Sequence, residues 1–201
     1  LGGGGINVSW VVRRLGGETC AVYVAGGPTG ERLSRALAAE GIDTACCPAE
    51  HDTRESVTVT DTSTGDLYRF VLPGHALSEA EANALVERFA SRLGPGVVGV
   101  GSGSLPGGLP HALWARCARA AKEAGALFVL DSSSGVDAAL AVGVSVLRFN
   151  HDEIVEEAGR ALDWPHGMAD WCAQVVRRGA AERAIVTHGA EGAVLVGRGG
   201  R

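Results

Sequence analysis

Lysine is nearly absent from this chain: Lys122 stands alone beside 17 arginines, and methionine also occurs once. A phosphate loop of the form G-x-x-x-x-G-K-[ST] needs its lysine after glycines, and Lys122 sits in Arg-Ala-Ala-Lys-Glu-Ala, a helical context, so that loop is excluded. Positive charge is not in excess either. Eighteen Lys and Arg face 23 Asp and Glu, a formal net charge of −5, which leaves no basic field to hold a nucleic acid. Aromatics make up only 5% of the chain, so the composition is Ala-, Val- and Gly-rich rather than aromatic-packed. No apolar run approaches the eighteen or so residues of a membrane span. The start, Leu1 followed by Gly2 to Gly5, has neither the basic residues nor the apolar run of a signal peptide. The five cysteines lack C-x-x-C spacing, and the six histidines are scattered without H-E-x-x-H, so neither a disulfide framework nor a zinc site is expected. A cytoplasmic location follows as the expectation.

With 46% hydrophobic and 20% charged residues, the 201 residues are long enough for one domain with a real core. The apolar spacing predicts a strand over 19–25, a helix over 29–40 and a strand over 44–47, a β-α-β opening. Strict alternation over Ser56–Thr60, turn chemistry through Asp61–Asp66, and Leu67–Leu72 predict a β-hairpin. Ser78 and Glu81 form the sequence of a capping box, starting a helix that reaches about Leu93. Beyond it, strands at 97–100, 126–130, 144–147, 184–187 and 193–196 alternate with helices at 110–124, 151–158 and 168–179. Such alternation predicts a largely parallel sheet covered on both faces. Ligands bind beyond the carboxyl ends of such strands. The segments there are Gly26-Gly27, Ser102-Gly103-Ser104, Asp131 to Ser134, Asn150 and His188-Gly189. They are small and polar, as single αβ turns often are, and together they point to one polar site. The glycines before Ile6-Asn7 lead into a helix over 10–15; a polyglycine start can also be a cloning remnant.

At this point a resemblance becomes specific. Gly2 to Gly5 with Asn7 and Ser9, Gly26-Gly27-Pro28-Thr29-Gly30, Thr53-Arg54, Tyr68-Arg69-Phe70, Gly101 to Pro106, Val129 to Ser133 and Asn150 to Glu153 resemble, in order and spacing, the ribokinase-like sugar kinases of the phosphofructokinase-B type. The resemblance implies an α/β fold, a three-layer αβα sandwich with a mostly parallel central sheet and a small β-hairpin lid. It assigns 1–55 and 73–201 to the kinase core and 56–72 to the lid. It implies ATP-dependent phosphorylation of a ketohexose phosphate, fructose 6-phosphate first, with 1-phosphofructokinase or tagatose-6-phosphate kinase activity as the alternatives.

Residue by residue, it assigns Gly3, Gly4 and Asn7 to the sugar hydroxyls, and Ser102 and Ser104 to a turn near the sugar. Arg54 and Arg69 fall at positions that hold the substrate's phosphate, a task suited to guanidinium forks, although arginines on a hairpin are commonly just solvated. Arg148, Asn150, Thr187 and Gly189 fall beside the nucleotide, and Glu153 and Asp131 near Mg²⁺. The family's Lys-Pro-Asn is Arg148-Phe149-Asn150 here. The expected partners are a phosphosugar and ATP, with no nucleic acid or membrane, and a second copy through the apolar hairpin face of Val57, Val59, Tyr68 and Phe70. Members of the family are longer, and their Gly-Ala-Gly-Asp, whose aspartate is the general base, has no counterpart in these 201 residues. That base is expected beyond Arg201, and the chain reads as incomplete at both ends. A catalytically incomplete phosphosugar-binding relic is the reading from another class.

Overall fold

Strands and helices form where the apolar spacing requires, in a computed structural model that describes residues 2–105 and 112–199. Pro106, in the expected sugar-side turn, and Pro110, at the expected start of a helix, lie outside the described residues. In chain order the elements are α1 (Gly4–Arg14), β1 (Cys20–Ala25), α2 (Gly27–Ala39), β2 (Asp43–Pro48), β3 (Ser56–Thr60), β4 (Leu67–Val71), α3 (Glu79–Ala90) and β5 (Val98–Ser102). They continue with α4 (Leu113–Glu123), β6 (Leu127–Asp131), α5 (Val136–Val142), β7 (Val144–Asn150), α6 (His151–Ala158), α7 (His166–Arg177), β8 (Ala181–Thr187) and β9 (Ala193–Gly197). The chain divides into two compact units, Ser9–Arg88 and, among the described residues, Gly2–Val8 with 89–105 and 112–199.

In the first unit β1 and β2 pair in parallel, from Cys20 opposite Asp43 to Ala25 opposite Pro48. The helix α2 joins them and buries Leu37 completely. The hairpin β3–β4 is antiparallel, with Val57 opposite Phe70 and Val59 opposite Tyr68. Period-two alternation therefore collects those four apolar side chains on one face and sets Thr58 and Arg69 on the other. Every residue of both strands is exposed. The predicted capping box of α3 is present: Glu81 N–H donates to Ser78 Oγ at 3.2 Å, and Ser78 N–H donates to the Glu81 carboxylate at 2.7 Å.

The second unit holds a five-stranded sheet ordered β5-β6-β7-β8-β9, parallel except for the antiparallel β9. One face buries Phe128, Leu130, Leu147, Phe149, Ala184 and Val186. Phe89 meets Phe128 edge-on at 6.0 Å and Trp171 of α7 meets Phe149 at 5.9 Å, so this face is sealed by the few aromatics available. Gly99 and Gly101 in β5 make room for the seal, since a Cβ at Gly101 would come within 2.8 Å of the Trp114 ring. On the opposite face Val98, Leu127 and Leu195 stay half exposed, and that face ends in the polar residues of the candidate site.

Two expectations need correction. The first helix starts at Gly4, not Trp10, so Gly4, Gly5 and Asn7 are helical. Gly3 accepts the first intrahelical bond, from Asn7 N–H at 2.9 Å. Glycine costs little in a first turn, whose N–H groups have no intrahelical partner anyway. The second correction is α5, seven residues the spacing did not reveal. It is bracketed by Gly135 and Gly143, both at positive φ, and is too short for a period to show.

Candidate active site

The carboxyl ends of four neighbouring parallel strands carry one polar residue each on the same face, and these residues bond to one another in strand order. Ser102 ends β5 opposite Asp131 of β6, and Asp131 lies opposite Arg148 of β7. The Ser102 hydroxyl donates to Asp131 Oδ2 at 2.8 Å. Arg148 donates through Nη1 to Asp131 Oδ1 at 2.9 Å and through Nη2 to Thr187 Oγ1 of β8 at 2.6 Å. The chain Ser102–Asp131–Arg148–Thr187 thus crosses four strand ends without a gap. Glu153 joins it from α6, its Oε2 lying 3.8 Å from Arg148 Nη1.

Asn150 and Glu153 are fixed by the start of α6. Asn150 is the N-cap, its side chain accepting from Glu153 N–H at 2.8 Å, and Glu153 Oε2 accepts from Asn150 N–H at 2.7 Å. The Asn-x-x-Glu spacing is therefore a capping box in its own right. It holds Glu153 Oε2 beside the backbone, 3.8 Å from the Arg148 nitrogen that also bonds Asp131.

Gly4 comes against this edge. A Cβ there would be 2.7 Å from Gly103 N and closer still to Ser102 Oγ, so only glycine admits the first turn of α1 so near the Ser102 turn. Asn7 and Gly3 are exposed, as is Ser104. The turn itself is tied to the next strand end: Gly103 N–H donates to Asp131 O at 2.9 Å, and Leu105 N–H to Ser134 Oγ at 2.9 Å. Ser132, fully buried, accepts from Trp114 Nε1 at 3.1 Å and donates to Ser134 O at 3.0 Å. Sequence reasoning grouped these serines with the polar site; their structural part is to hold the turn bearing Ser102 and Ser104.

Two histidines far apart in sequence, His151 and His188, are paired in space. Asn150 is opposite Thr187, so the residues that follow them, His151 and His188, are brought side by side and stack at 4.2 Å. Trp164 meets His188 edge-on at 5.0 Å, and His188 Nδ1 is buried with no partner among the described residues. This cluster adjoins Thr187 and the exposed Gly189 in the chain. A cavity of about 580 Å³ between α7 and β9, lined in part by Asp170, Arg177 and Arg198, shares none of these residues.

The first unit contains Arg54 and Arg69. Gly26 and Gly27, read from the sequence as part of a polar site, are covered by the loop that bears Arg54. Gly26 N–H donates to Thr53 Oγ1 at 3.1 Å, Thr53 N–H returns to Gly26 O at 3.0 Å, and Ala49 N–H reaches Ala25 O at 2.9 Å. A Cβ at Gly27 would fall on the Asp52 carboxylate. Glu55 binds Arg32 and Thr29 of α2, so both ends of the loop are anchored while Arg54 between them is exposed. Arg54 and Arg69 have no hydrogen-bond or ion-pair partner among the described residues.

The pattern of the pfkB family carbohydrate kinases matches residues 1–201. The chain belongs to that family. Among curated pfkB relatives, ATP-dependent 6-phosphofructokinase isozyme 2 of Escherichia coli is 36% identical over 197 residues, 97% of this chain and 63% of that protein. The 1-phosphofructokinase of Bacillus subtilis is 33% identical over 195 residues, 96% of this chain and 63% of its own length. The crystal structure of phosphofructokinase-2 from Escherichia coli in complex with fructose-6-phosphate superposes with a TM-score of 0.91 at 36% identity, covering 98% of this chain and 65% of that one. The chain thus spans a little under two thirds of the relatives it matches. The expected α/β fold with a mixed, mostly parallel sheet is borne out.

Among the described residues no group of three or more His, Cys, Asp or Glu is arranged to cage a metal ion. Magnesium does not ask for such a cage, because it keeps several waters and takes one or two carboxylates beside substrate phosphates. Asp131 and Glu153, both within 4 Å of Arg148 Nη1, fit that demand.

Proposed function

We propose that this pfkB chain is the greater part of an ATP-dependent kinase for a ketohexose phosphate, fructose 6-phosphate first. The observation that carries the reading is the hydrogen-bonded edge of four strand ends, with its two carboxylates and capped Asn150, in a chain of this family. The 36% identity to a 6-phosphofructokinase supports the choice of sugar, and the 33% identity to a 1-phosphofructokinase keeps fructose 1-phosphate as the second substrate to try.

In the reaction the C1 hydroxyl oxygen of fructose 6-phosphate bonds to the γ-phosphorus of ATP, the bond from that phosphorus to the β,γ-bridging oxygen breaks, and the hydroxyl proton leaves to a base. No residue of this chain is assigned that base. Gly3, Gly4, Asn7, Ser102 and Ser104 are assigned to the sugar, Arg54 and Arg69 to its phosphate, and Asn150, Thr187 and Gly189 to the nucleotide. Asp131 and Glu153 would hold Mg²⁺ through its waters, and the ion when bound offsets charge on the transferring phosphoryl group.

A second copy of the chain is the proposed partner of the hairpin. Its one-sided face of Val57, Val59, Tyr68 and Phe70 leaves each side chain 47 to 57% exposed, an apolar patch that isolated hairpins do not sustain in water. A cytoplasmic location completes the reading, supported by five cysteines of which none is in a disulfide. No helix among the described residues is long and apolar enough to cross a membrane.

The deciding experiment is ATP-to-ADP turnover with Mg²⁺ and fructose 6-phosphate, fructose 1-phosphate or tagatose 6-phosphate. It compares the 201-residue chain with the longest reading frame that contains it. Turnover with one sugar phosphate upholds the reading and names the substrate. Absence of turnover with all three by both proteins, alongside retained sugar-phosphate binding, replaces it with the phosphosugar-binding relic.

A further inference from the structure

Arg148 stands where the resemblance assigns a ligand of the nucleotide, yet its guanidinium is already engaged from both sides. Nη1 is bonded to Asp131 at 2.9 Å and Nη2 to Thr187 at 2.6 Å, with Glu153 Oε2 3.8 Å from Nη1. One cation thus lies among two carboxylates. A phosphate oxygen that took Nη1 would leave the Asp131 carboxylate uncompensated beside a second anion, at a position only about a third exposed. We propose that Arg148 is a positioning residue, which acts on the nucleotide through Thr187 and on the metal side through Asp131, and does not itself hold a phosphate. This inference rests on the kinase reading and names the division of labour within its nucleotide site.

The direction of the Thr187 bond gives the device its function. Thr187 Oγ1 accepts from Arg148, so its own hydrogen is left to donate, and no acceptor for it occurs among the described residues. An arginine in this place therefore leaves the Thr187 hydroxyl able to donate to a phosphate oxygen of the nucleotide. It also fixes Asp131 at two points, Oδ1 through Arg148 and Oδ2 through Ser102. A planar fork suits both tasks: Asp131 and Thr187 sit on the strands to either side of β7, and the guanidinium reaches them with two separate nitrogens, where an ammonium would have to serve both from a single one.

The test uses the longest reading frame containing this chain, with calorimetric binding of the β,γ-imido analogue of ATP in Mg²⁺, and kcat and KM where turnover is present. Variants are Arg148→Lys, Arg148→Met, Thr187→Val and the double variant Arg148→Met with Thr187→Val; thermal melts verify that each is folded. If Arg148 acts through Thr187, each single variant weakens analogue binding about 10-fold, the double variant is no weaker than the worse single one, and lysine does not rescue. In addition kcat falls about 10-fold in Arg148→Lys, because Asp131 or Thr187 is released. A direct phosphate contact predicts the reverse: losses that multiply in the double variant, and rescue by lysine, which binds phosphate as a point charge. That pattern overturns the proposal while the kinase reading stands. A folded wild-type protein that neither binds the analogue nor turns over overturns both. Should Arg148→Met fail to fold, the lysine variant and Thr187→Val decide alone: lysine rescue with full analogue affinity overturns the proposal.

Discussion

The sheet edge and the first unit each carry arginines, Arg148 on β7 and Arg54 and Arg69 on a loop and on β4, and their surroundings are opposite. Arg148 is bonded on both sides to neighbouring strand ends, whereas Arg54 and Arg69 are exposed and have no partner among the described residues. In the first case the cation is spent on holding other groups, so its loss is felt through them. In the second the backbone around the cation is anchored, at Thr53 and Glu55, while the charge itself is left for something else to meet. An arginine's partners, not its presence, therefore separate the positioning role proposed for Arg148 from the binding role proposed for Arg54 and Arg69.

The largest effect expected from this contrast is at the unpartnered side. If Arg54 holds the sugar phosphate as proposed, Arg54→Ala removes a charge-assisted contact worth about 1.5–3 kcal/mol, and KM for the sugar phosphate should rise about 10- to 100-fold. KM for ATP should stay within about 2-fold, since Arg54 is proposed for the sugar phosphate alone. Steady-state kinetics with each substrate varied in turn checks this, and equal rises in both KM values would break the distinction. Gly27→Ala sharpens it from the scaffold side, because the added Cβ meets the Asp52 carboxylate and loosens the anchored loop without touching the charge.

Next in size is Gly4→Ala. The new Cβ would press on Gly103 and the Ser102 hydroxyl, and overpacking of this kind costs about 1–3 kcal/mol. The strain falls on the first link of the bonded edge, so kcat should drop together with the melting temperature. Gly5→Ala, with nothing within 4 Å of its Cβ, is the control and should leave both nearly unchanged. A Gly4→Ala enzyme with full activity would mean that the edge tolerates displacement of Ser102.

How much of this was legible in the sequence follows the same division. Strands and helices carried by apolar period, such as α6 and the hairpin, read off directly, because side-chain direction repeats every two or 3.6 residues. The capping boxes at Ser78 and Asn150 are local, three residues apart, and both sequence patterns became bonds. Bonds between strands are not local. That Ser102, Asp131, Arg148 and Thr187 meet depends on three pairing registers, and a slip of one residue in any of them would turn its side chain to the other face. The same holds for His151 and His188, which look unrelated until Asn150 is known to lie opposite Thr187. Residue identities could be matched to a family from the sequence, but which of them restrain one another could not.

The hairpin gives the third test. Its exposed apolar face should associate with another copy, and replacing Tyr68 and Phe70 together by Ser should shift the protein toward monomer in sedimentation while the melting temperature of the monomer changes little. Wild-type protein that sediments as a monomer at micromolar concentration would leave the face without the proposed partner.

The smallest effect concerns Glu157, which has Asp137, Glu156 and Arg178 for charged neighbours. Burial, followed by the charge of Asp137 and a hydrogen bond with it, pushes the Glu157 carboxyl above its usual range, and Arg178 only partly opposes this. A raised carboxyl pKa means that the folded state binds the proton more tightly than the unfolded one. The stabilisation is therefore complete in acid, below the ordinary glutamate range, and is lost as pH rises through the folded value. Glu157→Gln keeps a neutral hydrogen-bonding side chain at every pH. It should melt higher than wild type near pH 8, with the gap closing as pH falls to about 4, where wild-type Glu157 is itself neutral. A gap that stays constant across that range would show that Glu157 is charged in the folded state throughout and that its burial beside Asp137 does not raise its pKa.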